Sequence, residues 1–220
     1  IDFKTEEYPT GQDCWMWNLS PKWTVKKGLL KTLDGKIIAN YHRNPLELWS
    51  YSSSFEGVVK REELLVHLKW NPDRPDDVIY SAHLGWRHWE KNWGFCVPYN
   101  IVQNLNDAEY RVEIHTGFSK STLKAINCMA TGNTDRMIVL SGHWDHPAMC
   151  NDGLVGCVVS LDVIRRLRKH KDLRYNYHAI LTPEFVGSTA WLFNNQHLIG
   201  KISEGLFVAI PCMMFFFVFR

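Results

Sequence analysis

Met137-Ile138-Val139-Leu140-Ser141-Gly142-His143-Trp144-Asp145-His146-Pro147-Ala148-Met149-Cys150-Asn151-Asp152-Gly153 is the stretch on which the fold turns. Its first four residues form a continuous apolar run, the pattern of a strand buried on both faces in a parallel sheet. Beyond it Leu154, Val155, Val158, Leu161, Ile164 and Leu167 recur on a helical period, and Asn151 or Asp152 can cap that helix. Arg165-Arg166-Leu167-Arg168-Lys169-His170 ends it with cations, which suit the negative end of a helix dipole. Tyr177-His178-Ala179-Ile180-Leu181 is a second buried run. Strand, helix and strand make a βαβ unit, so the two strands are expected to be parallel and the fold class α/β.

The topology places chemistry. Ligands of open α/β sheets bind outside the carboxyl ends of the strands. The His143–Asp152 loop leaves one such end, and Thr182-Pro183-Glu184-Phe185-Val186-Gly187-Ser188 leaves the next. Histidine, aspartate and glutamate from two separate segments are therefore expected in one crevice. Imidazole and carboxylate are a ligand set that zinc accepts in catalytic sites, where a coordination position stays open for water. A polar loop that happens to be rich in His, Asp and Asn is the bland alternative, and convergence from two segments weighs against it.

Moving outward, 220 residues suffice for one large domain or one domain with an insertion. The net charge of +2 is too small for a nucleic-acid footprint. Cys14, Cys96, Cys128, Cys150, Cys157 and Cys212 include no C-x-x-C pair, and Ile1-Asp2-Phe3-Lys4-Thr5 does not open a signal peptide. Free thiols in a reducing cytoplasm are expected. The residues before about Asn100 read as a β-rich module. Trp23–Val25, Gly28–Leu33 and Lys36–Asn40 are short strands, Asp34-Gly35 is a hairpin turn, and Arg61–Leu68 is a short helix. Tyr110–His115 and Thr122–Ala130 add two strands, and Leu206–Ile210 another. Residues 1–105 are thus assigned to a β-rich domain with short flanking core segments, and 106–210 to the α/β core. The run Pro211–Phe219 is too short for a membrane helix and does not alternate as a half-buried strand would, so 211–220 is set apart as an atypical apolar tail. That tail, with the lack of an initiator methionine, reads as the mark of a fragment.

The strand-end histidine, Asn151-Asp152-Gly153 at a helix start, and Pro183-Glu184 followed by Gly187-Ser188 resemble the zinc aminopeptidases of the M28 type. The likeness is greatest to the aminopeptidase-like branch with an inserted β-rich domain, often called polysaccharide-biosynthesis proteins. Asn44-Pro45-Leu46, Ser50-Tyr51-Ser52, Glu62-Glu63-Leu64-Leu65 and Asn92-Trp93-Gly94-Phe95-Cys96 are similar to that inserted domain. The resemblance implies a zinc-exopeptidase-like core and zinc, one ion or two. It implies His143 as a ligand, Asp152 as a bridge between metals, and Asp145 as the carboxylate that orients the imidazole. His146-Pro147 belongs to this branch's His-x-x-His-Pro signature, so His146 competes with His143 as ligand. Glu184 is either the general base or a ligand, because Phe185 stands where these enzymes usually carry a second glutamate. Further ligands expected after the next strand do not follow, which leaves the ligand set of this chain incomplete.

Two classes of function follow. One is a zinc-dependent aminopeptidase-like hydrolase cleaving a peptide or aminoacyl conjugate by metal-activated water, with no nucleic-acid or membrane partner and self-association left open. The other is a non-catalytic binding or scaffold protein on the same fold. A variant of the first is an amidase or deacylase acting on a sugar conjugate. Trp86, Trp89 and Trp93 are read as packing residues before a sugar-binding face, and Cys150 as a small buried residue. His83, His115, His178 and His197 are read as ordinary histidines.

Overall fold

A computed structural model describes residues 2–81, 84–208 and the backbone of 214–218. In chain order the first half forms β1 (Lys4–Pro9), β2 (Asp13–Cys14), β3 (Trp17–Asn18), β4 (Lys22–Thr32), β5 (Ile37–Asn40), β6 (Phe55–Lys60), α1 (Arg61–Val66), β7 (Leu68–Lys69), β8 (Phe95–Cys96) and α2 (Tyr99–Gln103). The second half forms β9 (Glu109–Ser119), β10 (Thr122–Ala130), β11 (Met137–His143), α3 (Val155–Leu167), β12 (Asn176–Thr182), α4 (Val186–Asn194), α5 (Gln196–Ile199), β13 (Ile202–Val208) and β14 (Met214–Val218). The chain divides into two compact units, Ser20–Lys120 on one hand and Ile1–Leu19 with Ser121–Arg220 on the other. No helix among the described residues is long and apolar enough to cross a membrane.

The Ser20–Lys120 unit is built on an antiparallel sheet in the order β5-β4-β9-β6. Trp23–Val25 and Gly28–Thr32 are not two strands but parts of β4, which pairs with β9 along its whole length, and Leu33 follows its end. A register shift between Val25 and Lys27 lets one strand carry both apolar patterns. Asp34-Gly35 turns the β4–β5 hairpin, with Gly35 at φ +95°. Leu30, Val59, Leu64, Phe95, Val112 and Ile114 fill the core of this unit, and Trp93 stacks on Phe55 and His67. Trp93 is thus a packing residue, whereas Trp89 is 62% exposed. His115 reaches Glu56 at 2.9 Å, and His83 lies outside the described residues.

The other unit carries a mixed six-stranded sheet in the order β1-β10-β12-β11-β13-β14. Its centre is parallel: β11 pairs with β12 on one side and with β13 on the other. The expected βαβ unit is therefore present, embedded in a sheet whose outer pairings are antiparallel. β13 runs from Ile202 to Val208, with Ala209 and Ile210 outside the described residues. The tail differs from its reading. Met214–Val218 is strand β14, antiparallel to β13, since aromatic and β-branched residues take readily to a free sheet edge.

Helix α3 keeps only part of its expected face: Leu161, Ile164 and Leu167 pack against the core. It buries Gly156, Cys157, Ser160 and Ile164, while Leu154 is 48% and Val158 65% exposed. The cause is close approach. A Cβ on Gly142 of β11 would lie 3.0 Å from the Cys157 nitrogen, so small residues on both elements let helix and strand meet. Nor does Asn151 or Asp152 cap the helix. A wide turn over Cys150–Leu154 feeds Val155 with no side-chain cap, and the Asp152 carboxylate is turned toward two imidazoles instead.

Candidate metal centre

The site forms where the parallel strands end. His143 closes β11 and stands in register with Thr182, the last residue of β12, so Glu184 follows two residues beyond the partner of His143. Strand alternation brings His143 to the sheet face away from Leu140, which packs into the cluster with Ile164 of α3. Its ring is 1% exposed and lies parallel to that of Phe207 on β13, with centroids 5.5 Å apart. On the other side, the Cys157 thiol of α3 donates to the His143 carbonyl at 3.2 Å.

Three further side chains meet this imidazole, and Glu184 joins them through His146. Asp145 Oδ1 lies 3.3 Å from His143 Nδ1 and accepts the backbone N–H of Glu184 at 2.8 Å. Asp152 presents Oδ1 to His143 Nε2 at 3.1 Å and Oδ2 to His146 Nε2 at 4.0 Å. Glu184 Oε2 is 2.9 Å from the same His146 nitrogen. The two imidazole rings meet edge to face, with centroids 5.1 Å apart. His143, Asp145 and His146 place donor atoms within 4.8 Å of one another. All five residues singled out in the sequence therefore gather in one cluster. Gly153 makes this possible, because a Cβ there would stand 2.5 Å from His143 Nε2. The Asp152–Gly153 peptide is cis.

The electrostatics call for a cation. Three carboxylates and two imidazoles share a largely buried space, which is costly for the anions unless positive charge joins them. Burial acts to lower the pKa of His143, but the hydrogen bond and charge of Asp145, then the charges of Glu184 and Asp152, outweigh it and raise the value. Burial pushes Asp145 upward, and the bonds from His143 and from the Glu184 N–H hold it below the ordinary range all the same. His143 Nε2 is buried and 3.1 Å from an Asp152 oxygen, yet it is not aligned for a hydrogen bond. With the Nδ1 proton given to Asp145, the Nε2 lone pair faces a carboxylate. Donors bonded to one tetrahedral zinc at about 2.0–2.1 Å stand about 3.3 Å apart, close to these spacings. The residues fit a zinc ion.

Other candidates fall away. Cys150 is exposed, not buried. The Ser188 hydroxyl donates to the Phe185 carbonyl at 3.1 Å, a local bond at the start of α4. His178 is half-buried, edge-on against Trp191, and His197 lies in α5. Sequence reading did not single out Phe207 or Cys157; it named Gly153 within the Asn151-Asp152-Gly153 motif, without its close approach to His143.

Residues 22–117 match a family described as a domain of unknown function, DUF2172. A Clostridium acetobutylicum protein described as a polysaccharide biosynthesis protein with an aminopeptidase-like domain is 27% identical over 206 residues, 94% of this chain and 46% of that protein. A crystal structure described as a peptidase, from the same organism, superposes with a TM-score of 0.82 at 26% identity, over 94% of this chain and 48% of that one. The zinc aminopeptidase BSAP from Bacillus subtilis superposes at 0.65 with 11% identity, over 96% of this chain and 59% of that one, a likeness of fold. The chain spans about half the length of the two clostridial relatives. The resemblance read from the strand-end motifs is borne out.

Proposed function

For a chain related to the aminopeptidase-like polysaccharide-biosynthesis proteins and folded like the zinc aminopeptidases, we propose a zinc-dependent hydrolase that cleaves a peptide or aminoacyl amide bond. One observation carries the reading: Asp152 turns its two oxygens toward the Nε2 atoms of His143 and His146, and the first of these nitrogens is buried without a hydrogen bond. His143, His146 and Asp152 would hold the metal. Zinc bound there supplies a Lewis acid that makes water nucleophilic near neutral pH.

This chain's own groups do the rest. Asp145 fixes the His143 ring through Nδ1, leaving Nε2 free to ligate. Glu184, tied to Asp145 through its backbone N–H, takes a proton from the attacking water on its carboxylate and returns it to the leaving amine. A reducing, cytoplasmic setting suits the five free thiols among the described residues. Because the relative's name concerns polysaccharide biosynthesis, an aminoacyl or acyl group on a sugar amine is the second substrate class to try.

The test is zinc content after dialysis against EDTA and reloading, followed by hydrolysis of aminoacyl p-nitroanilides and N-acyl amino sugars. One ion or more per folded chain is expected, lost in His143→Ala and Asp152→Asn. Glu184→Gln is expected to keep zinc and lose turnover by about 100-fold or more. A folded wild-type protein that holds no zinc, or a Glu184→Gln variant with unchanged turnover, overturns the proposal.

A further inference from the structure

The outer face of the sheet β5-β4-β9-β6 carries a pairing that antiparallel sheets ordinarily avoid. Lys31 of β4 stands directly opposite Arg111 of β9. Val112 and Ile114 belong to the core of this unit, so strand alternation puts Arg111 and Glu113 on the outer face, and Lys31 with them. Like charges in directly opposed positions are destabilising. The fold offsets this repulsion only in part. Glu113 meets Lys31 at 2.8 Å, but it is shared with Lys27 at 2.5 Å. On the neighbouring strands Glu56 is bonded to His115, and Glu109 stands opposite Lys60. Arg111 has neither an ion pair nor a side-chain hydrogen bond among the described residues.

The row extends past both cations. Val58 of β6 pairs with Arg111 on one side, and Ile37 of β5 pairs with Lys31 on the other. Both of these apolar side chains are exposed. Four strands thus present apolar, cationic, cationic and apolar residues in one line across the face. Lys27 and Lys31 share a carboxylate and Arg111 has none, so a dianion suits the row better than a single carboxylate does. A guanidinium fork takes phosphate oxygens in pairs. Val58 and Ile37 offer apolar surface to whatever group the phosphate carries. We propose that Lys31 and Arg111 form a binding site for a phosphate monoester on the outer face of this sheet. The site lies wholly in the Ser20–Lys120 unit and does not depend on the zinc reading.

Calorimetric titrations with phenyl phosphate, inorganic phosphate and benzoate test it, at low ionic strength and about pH 7.5, where the monoester is a dianion. EDTA-treated protein is used, so that no metal takes the anion. Phenyl phosphate is expected to bind most tightly, above inorganic phosphate through its ring and above benzoate through its second charge. Arg111→Gln and Lys31→Gln are each expected to weaken it by about tenfold or more, the loss of a charged hydrogen bond. Lys60→Gln removes a charge from the same face outside the row and should leave the affinity near wild type. Without phosphate, Arg111→Gln is expected to melt at or above the wild-type temperature, because the repulsion is gone; this separates lost binding from lost folding. No binding of phenyl phosphate by wild type overturns the inference. So does an affinity that is unchanged in Arg111→Gln, or one lowered equally in Lys60→Gln. Benzoate bound as tightly as phenyl phosphate overturns it as well.

Discussion

Asp145 holds the two halves of the site together through one oxygen atom. Oδ1 accepts from His143 Nδ1 at the end of β11 and from the Glu184 N–H beyond β12. Removing it frees the imidazole to rotate and leaves a part-buried backbone N–H without its acceptor. Asp145→Ala is therefore expected to weaken zinc binding by about 10–100-fold, the usual cost of losing a carboxylate behind a ligating histidine. Competition with a chromophoric chelator measures it, and unchanged affinity shows that Asp145 does not orient His143. Half of this role was legible in the sequence, because a carboxylate two residues past a strand-end histidine can reach its ring. The Glu184 contact was not, since the two residues meet only through the pairing of β11 with β12. Phe207 was hidden for the same reason: an apolar residue in β13 reads as core, and its stacking on His143 depends on the β11–β13 register.

At the scale of the element, helix α3 shows where periodicity misleads. The apolar stripe from Leu154 to Leu167 predicted a large-residue interface; Leu161, Ile164 and Leu167 do pack against the core, but Leu154 and Val158 are exposed, and Gly156, Cys157 and Ser160 face inward. Hydrophobic period reports which residues prefer burial; it does not report how near two backbones come. Gly142 decides that distance, for its missing Cβ admits the Gly156–Cys157 backbone. A side chain there must push backbone aside. Gly142→Val is thus expected to destabilise this unit by about 1–3 kcal/mol, the range for overpacked cores. Because Cys157 also bonds the His143 carbonyl, the same shift is expected to lower zinc affinity. A denaturant midpoint and a zinc titration read the two effects, and a midpoint equal to wild type refutes the close-packing account. The strands themselves were easier to read. β10, β11 and β12 are continuous apolar or alternating runs bounded by polar loops, and they lie where their sequences placed them. The break within β4 was not legible as a bulge, because Lys26 and Lys27 look like a turn when taken alone.

Across the whole molecule, acid acts on each unit through a different group. In the unit with the six-stranded sheet, burial lowers the pKa of His178 below its ordinary 6.5, against the pull of Glu6. As pH falls through 6.5 the unfolded chain takes up this proton and the folded one does not, so stability declines until the lowered folded value is reached. In the other unit Glu113 sits between Lys27 at 2.5 Å and Lys31 at 2.8 Å, and their bonds and charges bring its pKa down to about 2 from 4.5. That contribution is whole above pH 4.5 and disappears only as pH falls from there toward 2. The unit holding His178 is therefore expected to lose stability first, below about pH 6.5, and the unit holding Glu113 below about pH 4.5. Hydrogen exchange followed peptide by peptide from pH 7 to pH 3 separates them: amides of β12 and β10 should lose protection before those of β4 and β9. His178→Phe keeps an aromatic ring against Trp191 and removes the titration, so it should flatten the first decline and leave the second untouched. Glu113→Gln should do the reverse. Loss of protection at one common pH in both units, with neither variant shifting it, would show that these two groups do not set the acid response.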